Sequence, residues 1–359
     1  MQVYPCSHCG HLVFFDSMHC VRCGSTLAFV PEAMALRALE PAPGNAPALW
    51  QERSPAPGAA RYRLCTHRDD GGGCNFALPA HSPHHLCLAC RQTHMLPPLA
   101  DPLLRQHWAR IEAAKRQLFY TLARLGLQST ADNADVQASP RYALLADQPG
   151  EPAILTGHQG GTITLNVAEA DDVERARRRL ALHEPYRTLL GHLRHESGHF
   201  YWERLVQQGG RLDAFRALFG DERRDYAAAL SAHYADGPPP DWQEQHVSAY
   251  ATAHPWEDWA ETWAHYLHMV DLLETASAYD TALRVPGADG IVREQVANPF
   301  AHPAPPFDTL VRQWVPLTLL LNSLNRSLGQ PDAYPFALSA GAWCKLRFVH
   351  DTVQQASSS

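Results

Sequence analysis

Eight of the nine cysteines fall within the first 90 residues: Cys6, Cys9, Cys20, Cys23, Cys65, Cys74, Cys87 and Cys90. Three of the pairs, Cys6/Cys9, Cys20/Cys23 and Cys87/Cys90, have C-x-x-C spacing. Each such turn aims two thiolates at one point, and two turns complete a tetrahedral all-sulfur shell that suits zinc. The opening MQVYPCSHCG has no basic stretch followed by an apolar one, so a secretory signal is not expected. A reducing, cytoplasmic setting is therefore the default expectation, and there disulfides are disfavoured.

Cys6, Cys9, Cys20 and Cys23 (CSHCG…CVRCG) therefore read as a first structural zinc site. Gly10 and Gly24 follow the two pairs and are expected to let backbone approach the sulfur without a Cβ clash. Cys65, Cys74, Cys87 and Cys90 read as a second, less regular site, where His67, His81, His84, His85 or His94 could replace one thiol. Four thiolates leave no open coordination position, so both sites are expected to hold structure and not to catalyse. Cys344, in AWCKLRFV, reads as a buried core thiol.

The chain has 359 residues, 45% of them hydrophobic, and a net charge of −7. It lacks the surplus positive charge that a nucleic-acid coat or a polybasic membrane binder needs. Residues 1–100 carry 7 Arg and no Lys against 6 acidic residues, with no basic stripe for nucleic acid. No apolar run is long enough to span a membrane. The expected organisation is a zinc ribbon at 1–30, an Ala/Pro-rich linker at 31–60, a second four-cysteine module at 61–98, one larger domain at 99–350 and a disordered tail at 351–359. Helical periodicity begins near residue 103, and further helices are expected at 171–220, 255–275 and 307–350. Short strands are expected at 142–145, 152–156 and 161–167. The expected fold class is α+β, mainly helical, with a small antiparallel sheet.

The segment LLGHLRHESGHFYWERLV contains H-E-x-x-H as His195, Glu196, Ser197, Gly198 and His199. On a helix, positions i and i+4 share a face, so both imidazoles can hold one metal ion. Glu196 lies on the flank, within reach of a water at the metal. Further on, HPWEDWAETWAHYL places Glu257 and Glu261 at i and i+4 among tryptophans. Carboxylates on such a face are costly without a cation or a donor, and a zinc ion and a ligand imidazole N–H would satisfy one each. Either glutamate could be the third ligand on spacing alone. His192, His265 and His268 extend the two faces and are expected to line the site.

H-E-x-x-H followed by E-x-x-A-E on a second helix resembles the gluzincin metallopeptidases, and in particular bacterial zinc-binding metallopeptidases with an N-terminal zinc ribbon. The resemblance runs from Cys6 to about residue 350. It implies a zincin-like domain with His195, His199 and Glu257 as ligands of a catalytic zinc, Glu196 as general base and Glu261 as a carboxylate orienting a ligand histidine. Tyr250, seven residues before Glu257, would stabilise the oxyanion. The expected activity is hydrolysis of a peptide or protein substrate with one catalytic and two structural zinc ions. Strand 162–167 (TITLNV) is expected to offer an edge for the extended peptide. The alternative is a non-catalytic scaffold whose zinc ribbons recruit a protein or nucleic acid; a non-peptide amide or ester substrate is a third reading.

Overall fold

The computed structural model describes residues 2–44, 49–53, 60–181, 188–287 and 290–357. The chain divides into two compact units, one of residues 1–123 and 128–175, the other of residues 124–127 and 176–359.

The first unit starts with the hairpin β1 (Tyr4–Pro5) and β2 (Leu12–Val13). An antiparallel five-stranded sheet follows, in the order β3 (Thr26–Val30), β4 (Ala35–Pro41), β5 (Trp50–Glu52), β6 (Arg61–Leu64), β7 (Ala77–Pro79). After the short α1 (Leu88–Arg91) and β8 (Thr93–Met95) comes the long α2 (Pro102–Arg124). A second sheet is built from β8, β9 (Arg141–Leu145), β10 (Gly157–Gln159) and β11 (Thr162–Asn166) in the order β10-β11-β9-β8. The helix α3 (Asp172–Ala181) runs across the division between the units in sequence.

Both cysteine quartets sit in one apolar core. Cys6, Cys20, Cys65, Cys74, Cys87 and Cys90 pack with Phe15, Phe29, Phe76, Phe119 and Tyr120, which are essentially buried. The aromatic rings meet edge-on or tilted at 4.8–6.1 Å between centroids, the favourable geometry for π systems.

Several expectations change here. Residues 31–60 are not a linker: 35–41 and 50–52 are strands of the five-stranded sheet. In ALRALEP the positions Leu36, Ala38 and Leu39 are buried, and that burial outweighs the Ala/Pro composition. Residues 45–48 and 54–59 of that stretch lie outside the described residues. The expected single domain at 99–350 is divided, because α2 and strands β9 to β11 belong with the cysteine core. The sheet expected to be antiparallel is mixed, with β9 parallel to both β8 and β11. Residues 152–156 form no strand; β10 begins at Gly157. The segment Thr162–Asn166 offers no free edge, being paired to β9 on one side and β10 on the other. Cys344 is exposed. The tail is helical through Ser357, and residues 358–359 lie outside the described residues.

The second unit comprises α4 (Leu189–Trp202), α5 (Leu212–Phe219), α6 (Tyr226–Asp236), α7 (Pro255–Ala278), the hairpin β12 (Ala282–Gly287) and β13 (Gly290–Gln295), α8 (Phe307–Ser327) and α9 (Ala340–Ser357). The core lies around α7, whose Trp259, Trp263, Leu267 and Leu273 are fully buried. Lys345 of α9 donates to Asp258 of α7 at 2.5 Å, a buried ion pair joining the two helices. Among the described residues no helix is long and apolar enough to cross a membrane.

Because the two quartets share one core, their occupancy should be coupled. Cys74→Ser is expected to empty the second quartet and to weaken zinc retention at the first. Metal content after dialysis against a chelator checks this; a variant that loses a single zinc and keeps the first site unchanged would show the two quartets to be independent.

Candidate metal centre

Two helices make the site. Thr188 caps α4, its hydroxyl accepting from the Gly191 N–H at 3.0 Å. His254 caps α7, its Nδ1 accepting from the Trp256 N–H at 3.1 Å, and Pro255 occupies the first turn. Glu257 and Asp258 also lie in that first turn, where the helix dipole favours negative charge.

Gly198, inside H-E-x-x-H, sets how closely the helices meet. A Cβ there would lie 2.9 Å from Ala260 Cα and 3.1 Å from Trp263 Cδ1. The close approach is fixed by Trp259 Nε1 donating to the Gly198 carbonyl at 2.8 Å and Trp263 Nε1 donating to Ser197 Oγ at 3.1 Å. Arg194 Nη2 donates to Asp271 Oδ2 at 2.5 Å, a third buried tie between α4 and α7.

With the helices so placed, His195, His199 and Glu257 converge, each offering a ligand atom within 4.8 Å of the others. Glu257 reaches both rings, Oε2 lying 3.0 Å from His195 Nε2 and Oε1 3.5 Å from His199 Nε2. Glu261 lies on the other side of His195, its Oε1 2.6 Å from Nδ1. The two glutamates thus take different nitrogens of one imidazole, and Glu257 alone belongs to the converging set.

Burial opposes charge on His195, yet Glu257 and Glu261 outweigh it and raise its pKa well above the usual histidine range. Burial likewise opposes charge on Glu257, and His199 and His195 outweigh it, holding the carboxyl well below its usual range. Two carboxylates around one imidazole, Glu257 buried and Glu261 partly buried, favour a positive charge between them, which a proton on His195 or a metal ion can supply. The donor set His/His/Glu is one that zinc accepts with a further position left for water. Glu196 is buried, and its Oε2 has no hydrogen-bond partner among the described residues.

Two contributors carry no sequence signal. Tyr226, the first residue of α6, donates its hydroxyl to Glu257 Oε1 at 2.6 Å. Ser248 donates to Glu261 Oε2 at 2.6 Å. Burial first, then Glu257 and Glu196, push the Tyr226 phenol above its usual range, so it stays a donor. The Tyr250 ring centre lies 6.1 Å from that of His195, and burial with Glu257 raises its phenol too. Trp256 packs on His199 with ring centres 4.3 Å apart. His265 turns away, its Nδ1 2.7 Å from the Tyr334 hydroxyl, and burial pushes it down to about 4. His268 packs on Tyr334 and Trp314. His192, on α4, does not join the converging set.

The cysteine quartets also converge, each within 4.8 Å and without a histidine. A zinc–sulfur bond of about 2.3 Å sets tetrahedral corners about 3.8 Å apart. The sulfurs of Cys6 and Cys23 are 3.8 Å apart, Cys9 and Cys20 3.6 Å, Cys74 and Cys87 3.7 Å, Cys74 and Cys90 3.7 Å. These spacings fit a zinc shell and exclude disulfides. Gly10 and Gly24 are needed for a reason other than the expected one: a Cβ at either would meet nothing, but both have positive φ (71° and 68°), closing turns in which their N–H groups donate to the Cys6 and Cys20 carbonyls.

A family model described as "Putative zinc-binding metallo-peptidase" matches residues 104–352, and a zinc-ribbon domain model matches residues 3–101. An uncharacterized protein of Mycobacterium tuberculosis is 37% identical over 358 residues, covering 99% of this chain and 96% of that protein. An uncharacterized protein of Mycobacterium bovis matches to the same extent. No solved structure matches the chain.

Gly198→Ala should force α4 and α7 apart. The expected cost is about 1–3 kcal/mol of stability, typical of overpacking, with weaker metal binding at His195, His199 and Glu257. Denaturant unfolding and metal content of the purified variant check this; unchanged stability and metal content would show that the helices can give way freely.

Proposed function

The chain belongs to the putative zinc-binding metallo-peptidase family, and on that premise we propose that it hydrolyses peptide bonds by a gluzincin mechanism at His195, Glu196, His199 and Glu257. The observation that carries the reading is the convergence of two imidazoles and the buried Glu257 next to the unpartnered carboxylate oxygen of Glu196. His195, His199 and Glu257 would hold the zinc. Zinc in such a set supplies Lewis acidity, lowering the pKa of water and polarising a carbonyl.

The residues of the chain supply the rest. Glu196 takes a proton from the attacking water and passes it to the leaving amine. Glu261 accepts from His195 Nδ1–H, which fixes the tautomer that leaves Nε2 free to bind metal. Ser248 and Tyr226 hold Glu261 and Glu257 in place through their hydroxyls. Tyr250, kept protonated by burial, donates to the oxyanion as it forms. The two cysteine quartets hold structural zinc. A cytoplasmic location agrees with eight thiols placed for metal rather than for disulfides.

Glu196→Gln should keep three zinc ions per chain and lose at least about 100-fold in hydrolysis of a peptide substrate. His199→Ala should keep two zinc ions and lose hydrolysis entirely. Metal content and turnover of the two variants check this. Full activity in Glu196→Gln would remove the proposed base, and a wild-type chain holding two zinc ions without hydrolysis would favour the scaffold reading.

A further inference from the structure

Beside the converging set lies a pocket of about 380 Å3 lined by Trp202, Glu222, Tyr226, His254 and Trp256. It is joined to the site at two points. Tyr226 hydrogen-bonds Glu257, and Trp256 packs on His199. Its volume lies at the lower end of the roughly 300–1,000 Å3 of small-ligand pockets, enough for one large side chain and its flanking backbone.

The polar side-chain atoms of Glu222, His254 and Tyr226 are already committed. Glu222 accepts from Arg216 Nε at 2.9 Å and from Arg216 Nη2 at 2.5 Å, one bond on each carboxylate oxygen. His254 uses Nδ1 to accept from the Trp256 N–H and Nε2 to donate to the Arg224 carbonyl at 3.2 Å. The Tyr226 hydroxyl is spent on Glu257. The indole Nε1 atoms of Trp202 and Trp256 are buried beneath the surface. An entering group therefore meets ring faces and methylenes. A charged group of either sign finds no unpaired counter-charge in the lining, since Arg216 and Glu222 neutralise each other.

We propose that this pocket receives a large apolar side chain, aromatic by preference, from a substrate residue flanking the bond to be cut. The assignment rests on the peptidase reading, and it makes Trp202 and Trp256 specificity-determining walls. Flat rings on several sides suit an aromatic guest in offset or edge-on contact.

The test uses the full zinc-loaded chain carrying Glu196→Gln and short blocked alanine peptides with one central Phe, Lys, Glu or Ala. Binding is read from the change in tryptophan fluorescence, since two tryptophans wall the pocket. The Phe peptide should bind about 10- to 100-fold more tightly than the Ala peptide. The Lys and Glu peptides should gain nothing over Ala. Adding Trp202→Ala should abolish the Phe preference while leaving the Ala peptide's affinity in place, and Trp202→Phe should retain most of it. Equal binding of all four peptides, no binding of any, or a Phe preference untouched by Trp202→Ala in a chain with full zinc content overturns the proposal. A Phe preference in a protein whose unsubstituted form cleaves none of the peptides would overturn the peptidase reading and leave the pocket assignment standing.

Discussion

The close packing of α4 on α7 is the constraint on which the candidate site depends. Gly198 removes the one Cβ that would hold the helices apart, and Trp259 and Trp263 convert the approach into fixed hydrogen bonds on Gly198 and Ser197. Only at that separation can a carboxylate in the first turn of α7 reach imidazoles on both ends of H-E-x-x-H. The arrangement then carries its own demand. Glu257, buried, and Glu261, partly buried, flank His195, and without a cation that concentration of negative charge would oppose folding. The same residues that make the fold uneasy make it a good metal host.

The first unit meets a related demand in another way. Its sulfurs are the centre of the core and not an appendage to it. Phe15, Phe29 and Phe76 pack among the cysteines, and Phe119 and Tyr120 of α2 close the cluster. Eight thiols lie in an interior that zinc would organise into two shells. A small β-rich segment thereby gains a core that its apolar residues alone would not fill. This places the two cysteine quartets and residues 102–123 of α2 in one compact unit, although the family models meet at the first turn of that helix, one ending at residue 101 and the other beginning at 104.

What was legible in the sequence was the part written in local spacing. C-x-x-C turns, H-E-x-x-H and the Glu257/Glu261 pair each place candidate ligands by a period of a few residues, and the structure brings together the two cysteine quartets and, separately, His195, His199 and Glu257. What was not legible depends on distant chain. Strands 35–41 and 50–52 look like linker because their partners, not their composition, make them strands. The parallel pairing of Arg141–Leu145 with Thr162–Asn166 has no local turn to announce it. Tyr226 lies 31 residues before Glu257 and reaches it from a helix with no buried residue. An exposed helix gives no apolar stripe to mark its inward-facing tyrosine, and Ser248 sits in a segment without period. Cys344 reads as a core thiol yet is exposed, because an apolar neighbourhood in sequence does not say which side of a helix faces the core.

The most direct test of the central claim is anomalous diffraction at the zinc edge from crystals of the zinc-loaded protein. Three peaks are expected, two within the cysteine quartets and one bonded to His195, His199 and Glu257 with Glu261 on the opposite nitrogen of His195. A third peak bonded to Glu261 in place of Glu257, or only the two cysteine-bound peaks at saturating zinc, would contradict that claim.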